Sequence, residues 1–245
     1  MGKQTQSGFT IIEVMLFLAV TGLLAVGILV GSGVAIGQQR YRDSVNSLKS
    51  FIQEQYSEVT NVINTRGSNW SCTAAGEVVE DSGQPRGTGE CVLLGRLITV
   101  DDTGTTLTAA NVVGYRIPGA ATASSDLLEM KNNYRLGISP IDQETTEVAW
   151  GAQIVKPGAG VTPASMSILI IRSPLSGSLF TFTQDSIQSN LNNMIDEANL
   201  KNAKDLCVNA DAGTFVGRRM EVRIDPYAAS QSAVRIPVES ESVCD

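Results

Sequence analysis

The sequence predicts an α+β protein: a long N-terminal helix, membrane-spanning in its first half and amphipathic in its second, packed on an antiparallel β-rich head. Three observations predict it. Residues 14–36 (VMLFLAVTGLLAVGILVGSGVAI) form a run of 23 positions without a charge. The stretch that follows places apolar residues at helical spacing. From about residue 67 the composition turns to Gly, Ser, Thr and Ala with short β-prone runs between turn signals.

Along a helix axis, residues 14–36 would extend about 35 Å, enough to cross a hydrocarbon core of about 30 Å. A core helix of a soluble domain would be shorter and would show a polar face. A cleaved secretory signal would carry an apolar region of only about 7–15 residues and end at a small-residue site. Val34-Ala35-Ile36-Gly37 is a poor version of such a site. Before the run stand a polar leader, residues 1–7, and then Gly8-Phe9-Thr10-Ile11-Ile12-Glu13. Glu13 is a lone acid just inside the edge of an apolar helix. A carboxylate within a bilayer is costly, so it marks a functional position; the alternative is a side chain that snorkels to the headgroups.

The residues GFTIIE, after a short polar leader and before an apolar helix, resemble the class III signal of type IV prepilins and type II secretion pseudopilins. The resemblance implies a membrane aspartyl peptidase that cuts between Gly8 and Phe9 and N-methylates Phe9. It implies that Glu13, fifth in the mature chain, lies near the α-amino group of a neighbouring subunit's Phe9 in a filament. In a low-dielectric filament core a pair that satisfies both charges is far better than either alone, so Glu13 would key assembly and register. Two features depart from the pattern. The leader has only Lys3, while Arg40 and Arg42 follow the span, so the positive-inside count does not support a cytoplasmic leader and topology is taken from the family. The mid-helix proline of many major pilins is missing, but Gly27/Gly31 and Gly33/Gly37 form small-xxx-small pairs that let helices approach closely.

Beyond the span, Val45, Leu48, Ile52, Tyr56, Val59 and Ile63 recur at spacings of four and three. No proline occurs from Phe9 to Arg66, so one continuous helix of about 87 Å is expected, with Gly67 as its stop. The expected organisation is a leader at 1–8, a transmembrane half-helix at 9–36, an amphipathic half at 37–66 and an extracytoplasmic head at 67–245.

In the head, strands are expected at Cys91–Val100, 112–117, 147–155, 167–172, 178–182, 219–224 and 233–238. Turns fall at Asp102-Thr103-Gly104, Pro118-Gly119, Lys156-Pro157-Gly158 and Asp225-Pro226. SILIIRSPLSGSLFTFT reads as a hairpin turning at 173–177. One accessory helix is expected over 185–200, where Ile187, Leu191, Met194/Ile195 and Ala198 are helically spaced. The strand order loosely resembles that of FimT/GspH-like minor pilins.

The four cysteines, Cys72, Cys91, Cys207 and Cys244, form no C-x-x-C, and three pairings are open, as are free thiols. Cys72–Cys91, closing a loop after the long helix, and Cys207–Cys244, pinning the C terminus, are favoured; a C-terminal bridge is also what the pilin resemblance implies.

Absence of histidine excludes Ser-His-Asp triads, Cys-His dyads and His-ligated zinc or haem. There is no Walker loop, dinucleotide fingerprint or G-x-S-x-G elbow. Asp101-Asp102-Thr103-Gly104 groups carboxylates suited to Ca²⁺ but lacks a complete ligand loop, so no metal or cofactor is expected. The net charge of −7 argues against a general nucleic-acid coat. One cationic run, Arg218-Arg219 with Arg223, is similar in place to the arginines of DNA-binding competence pilins, although Glu221 dilutes it and the chain after Arg66 has 13 Lys and Arg against 21 Asp and Glu.

The expected protein is therefore a minor pilin or pseudopilin and not an enzyme. Its expected partners are prepilin peptidase, other pilin subunits and the assembly platform and ATPase. It would be held single-pass in the cytoplasmic (inner) membrane, head outside the cytoplasm, and reach a cell-surface filament after assembly. A DNA-binding competence pilin and a signal-anchored extracytoplasmic enzyme are the alternatives.

Overall fold

The computed structural model describes residues 10–61, 70–80, 89–158, 160–210 and 218–244. One uninterrupted helix, α1 (Ile11–Asn61), dominates it. Its 51 residues give an axis of about 77 Å. The expected ends at Phe9, Arg66 and Gly67 lie outside the described residues. Two regimes meet within α1. Every residue buried by the chain belongs to its second half: Tyr41, Ser44, Val45, Leu48, Phe51, Ile52, Gln55, Tyr56 and Val59. From Val45 to Val59 the stripe read from periodicity is thus the face that packs on the head; Ile63 lies outside the described residues.

The head contains a hairpin, β1 (Trp70–Cys72) with β2 (Val78–Glu80), and two larger antiparallel sheets. The large sheet comprises β3 (Cys91–Val100), β4 (Thr106–Arg116), β5 (Tyr134–Ile138), β6 (Glu144–Glu147), β8 (Met166–Arg172) and β9 (Leu179–Gln184). Its order is β5-β4-β3-β8-β9, and β6 pairs with the first part of β4. The small sheet has the order β12-β11-β10-β7, from β7 (Gln153–Val155), β10 (Lys204–Asn209), β11 (Met220–Ile224) and β12 (Val234–Arg235).

Helix α1 lies over one face of the large sheet and against the small one. Ile98, Val100, Ile168 and Ile170 meet Val45, Ile52 and Tyr56 in a core that also takes Leu206, Val208, Val222 and Ile224. The alternate residues Leu97, Leu169, Ile171 and Phe182 face the opposite side. There they are covered by Met130, Leu191, Met194, Ile195 and Leu200. Burial on both faces explains why β8 reads as a continuous apolar run, MSILIIR, instead of alternating. At Gly95, where the β3–β4 register shifts, a Cβ would stand 2.0 Å from the Ile170 carbonyl oxygen, so only glycine lets β8 come this close.

Several expectations require correction. Residues 185–200 are not an α-helix but two short 3₁₀ turns, Leu191–Met194 and Glu197–Asn199. The Asn190 and Asp196 side chains accept from the amides of Asn192 and Ala198, and such local bonds compete with helix propagation. The accessory helix is instead α2 (Asp126–Asn133), started by Ser125, whose hydroxyl accepts from the Leu128 amide. The strand expected over 147–155 is broken by a 3₁₀ turn at Ala149–Gly151, and only β6 and β7 flank it. The last strand, expected over 233–238, shrinks to β12, because Gln231–Ala233 is a 3₁₀ turn. The β8–β9 hairpin forms as expected, with Arg172 opposite Leu179 and Gly177 at φ 76°.

The Glu129 carboxylate fastens α2 and the loop before it. It accepts from the Ala123 amide (2.8 Å), from Asn133 (2.6 Å) and from Arg116 (3.4 Å). These donors, the Ala123 amide foremost, outweigh desolvation and hold its pKa below the ordinary value. Asp126 is held low in the same way, chiefly by the Ser173 hydroxyl. A carboxyl with a lower pKa folded than unfolded adds stability above the unfolded value of about 4 and loses it as pH falls through the folded value. The melting temperature of the chain in detergent is therefore expected to hold from neutrality to about pH 5 and to fall below about pH 4, with a shallower fall for Glu129→Gln. An acid profile identical in that variant would remove Glu129 from the account.

Candidate functional site

The first half of α1 has no covering within the chain. Ile11 is 78% exposed and Leu29 is 72% exposed, and the large apolar residues between them are exposed as well. An apolar surface of this size on an isolated soluble chain would be an aggregation site; in lipid it is the ordinary surface of a spanning helix. The segment meets the length and composition of a membrane-crossing helix, and none of its most apolar window is buried. The Thr21 hydroxyl within the span is satisfied internally, donating to the Phe17 carbonyl at 2.8 Å. A Cβ on Gly22, Gly27, Gly31 or Gly33 would meet nothing within 4 Å, so the chain's own packing does not require these glycines.

Glu13 stands in the first turn of α1, exposed. The Thr10 hydroxyl accepts from the Glu13 amide at 3.3 Å, which caps the helix start. Thr10-Ile11-Ile12-Glu13 is also the T-x-x-E pattern of a capping box, a local role that the sequence reading missed. Gly8 and Phe9 lie outside the described residues.

The second half of α1 is bolted to the head by polar contacts as well as apolar ones. The Tyr41 hydroxyl donates to the Val208 carbonyl (2.7 Å) and accepts from the Met220 amide (2.6 Å), joining α1 to β10 and β11. Buried Arg96 on β3 donates to Gln55 (2.8 Å) and Asn111 (3.2 Å) and pairs with Glu58 of α1 at 2.7 Å. The Tyr56 and Thr181 hydroxyls share a 2.8 Å hydrogen bond; burial pushes the Tyr56 pKa up to about 12, against the lowering effect of Thr181. Such contacts fix both the rotation and the axial position of α1, because each polar group buried here would be left unsatisfied by a slip.

The other candidates are brought into local structural roles. Arg223 pairs with Asp205, with Glu221 (3.1 Å) and, at 3.9 Å, with Glu241, while Arg235 pairs with Asp225 (3.1 Å) and Glu241 (2.7 Å). Arg219 donates to the carbonyls of Gly158 (3.0 Å) and Gly160 (2.7 Å), and Arg218 is exposed. Arg223 and Arg235 are therefore held in an ion network, with Glu221 only 1% exposed inside it. The Asp101 carboxylate accepts from the Thr103 hydroxyl and from the Thr105 and Thr106 amides. Although desolvation pushes its pKa upward, these bonds together hold it below the usual range. Cys72 is disulfide-bonded to Cys91 (Cα–Cα 5.8 Å) and Cys207 to Cys244 (5.4 Å). Cys207, Cys244 and buried Glu221 lie within ligand distance of one another, but the disulfide leaves no thiolate to hold a metal.

A bare apolar half-helix continues into a half fixed on a β-rich head, an α+β arrangement consistent with the pilin fold. Residues 3–29 match the family model described as the prokaryotic N-terminal methylation motif. The N terminus thus carries a type IV prepilin-like class III signal peptide, and the chain is a type IV pilin-like protein. No curated protein and no solved structure matches it.

Proposed function

We propose that this chain is a minor pilin or pseudopilin: cut between Gly8 and Phe9, methylated on Phe9, stored single-pass in the cytoplasmic membrane and drawn by the assembly machinery into a filament. The bare apolar half of α1, continuous with a half that cannot slip on the head, carries this reading. A helix exposed along its length can exchange lipid for neighbouring helices without refolding the head. Glu13 then pairs with the Phe9 amine of the adjacent subunit. The head contributes adhesion, priming or assembly contacts and no chemistry of its own.

Mass spectrometry of the native N terminus tests the processing step. The expected product begins at methylated Phe9, and Gly8→Val is expected to leave the eight-residue leader attached. A native chain that begins at Met1 in cells with an active prepilin peptidase would refute the proposal.

A further inference from the structure

We propose that Trp150 is a lipid-interface anchor: in the membrane-held subunit its indole lies among the headgroups and sets how the head meets the bilayer. The inference rests on the reading that α1 spans the membrane. Helix α1 changes surroundings within a few residues. Ile36 is 50% exposed and ends the bare apolar segment, whereas Tyr41 is buried in the head. Arg40 lies between them, one helical turn or about 6 Å beyond Ile36. The Arg40 guanidinium carbon sits 4.9 Å from the centroid of the Trp150 ring. A residue far away in sequence is thereby brought to the level at which the apolar run stops.

Trp150 is 57% exposed. Its backbone is left-handed, at φ 60° and ψ 30°, which a bulky residue adopts only where its surroundings impose it. The surroundings do so here: the Val148 amide donates to the Thr105 carbonyl (2.8 Å), the Ala152 amide to the Ala149 carbonyl (3.3 Å), and Gly151 follows at φ 67°. The turn is thus braced to hold a large ring outward, with Arg40 over it and, among the described residues, more than half of its surface left open. A bilayer surface would cover that part. Indole has an apolar body and one N–H donor, and it favours the headgroup level for that reason. Arg40 suits the same level, with its stem on apolar surface and its guanidinium towards phosphate. Arg42 adds a cation, but Asp43 and the Asp102 of the β3–β4 turn are exposed acids at this end. The ring, not net charge, carries the contact, so zwitterionic lipid suffices.

The test uses the full-length chain with Trp70→Phe, which leaves Trp150 as the sole tryptophan, in phosphatidylcholine vesicles bearing a nitroxide at a shallow or a deep acyl position. The shallow label is expected to quench Trp150 about twofold more strongly than the deep one. A second protein, Trp70→Phe/Trp150→Phe/Leu24→Trp, reports on the span and is expected to be quenched best by the deep label. If the Leu24→Trp probe is quenched and Trp150 is not, the anchor is overturned while the spanning reading stands. If neither is quenched, the span is refuted and the anchor with it.

Discussion

Glu13→Ala is expected to reduce incorporation into filaments by about tenfold or more while leaving cleavage and membrane insertion intact, since each 1.4 kcal/mol of lost contact energy is a factor of ten. In lipid, an isolated carboxylate costs about 2.5–3.5 kcal/mol on insertion scales. On the proposed pairing, a neighbour's α-amino group would relieve that cost only in the polymer, so removing the charge would remove a drive to assemble but no drive to insert. The structure supplies a competing role, because Thr10 caps α1 through the Glu13 amide and Glu13 is the fourth residue of a T-x-x-E pattern. Glu13→Gln separates the two. It keeps a side chain fit for the capping box but carries no charge, and it is expected to fail as alanine does. Immunoblots of sheared filament and membrane fractions would read both variants. Wild-type filament levels with glutamine would show that the cap matters and the charge pair does not.

Much of this architecture was legible because its signals are local. A charge-free run long enough to cross a bilayer, and apolar residues from Val45 to Val59 on one helical face, needed no tertiary information. Cys91–Val100 was legible for the same reason, being β-prone and ending at Asp101. The misreading of 185–200 is instructive. Leu191, Met194 and Ile195 are fully buried, as the spacing suggested, but Ile187 and Ala198 of the same pattern are exposed, and spacing does not by itself report backbone conformation. Asn190 and Asp196 decided the conformation by bonding their own neighbours' amides. Helix α2 escaped notice because its eight residues place few side chains inward, Met130 foremost. The arginine run was visible as a motif, yet the carboxylates that occupy Arg223 include Asp205 from the adjacent strand and Glu241 from the C-terminal segment. Arg40 over Trp150 was illegible for the same reason: no local pattern joins a helix residue to a turn so distant in sequence.

The second large effect is expected in the head, from Cys207→Ala/Cys244→Ala. The bridge spans a sequence separation of 37. Chain-entropy bookkeeping for a loop of that size gives about 4 kcal/mol. The surroundings favour a cost near that value. Both cysteines are fully buried beside Val155, so the bridge is part of a small apolar cluster. The C-terminal segment it holds supplies two of the donors to buried Glu221, the Ser242 hydroxyl (3.1 Å) and the Val243 amide (3.0 Å). If the segment detaches, Glu221 keeps Arg223 but loses both, and an under-satisfied buried carboxylate is expensive. By contrast, the bridge from Cys72 to Cys91 has a separation of 19 and ties down a short, partly exposed hairpin, so its removal should act more locally. In detergent, the full chain lacking Cys207 and Cys244 should melt about 10 °C lower, a shift in keeping with a domain of this size. A shift of only a degree or two would mean that the network of Arg223, Glu241 and Arg235 holds the C terminus without help from the covalent bond.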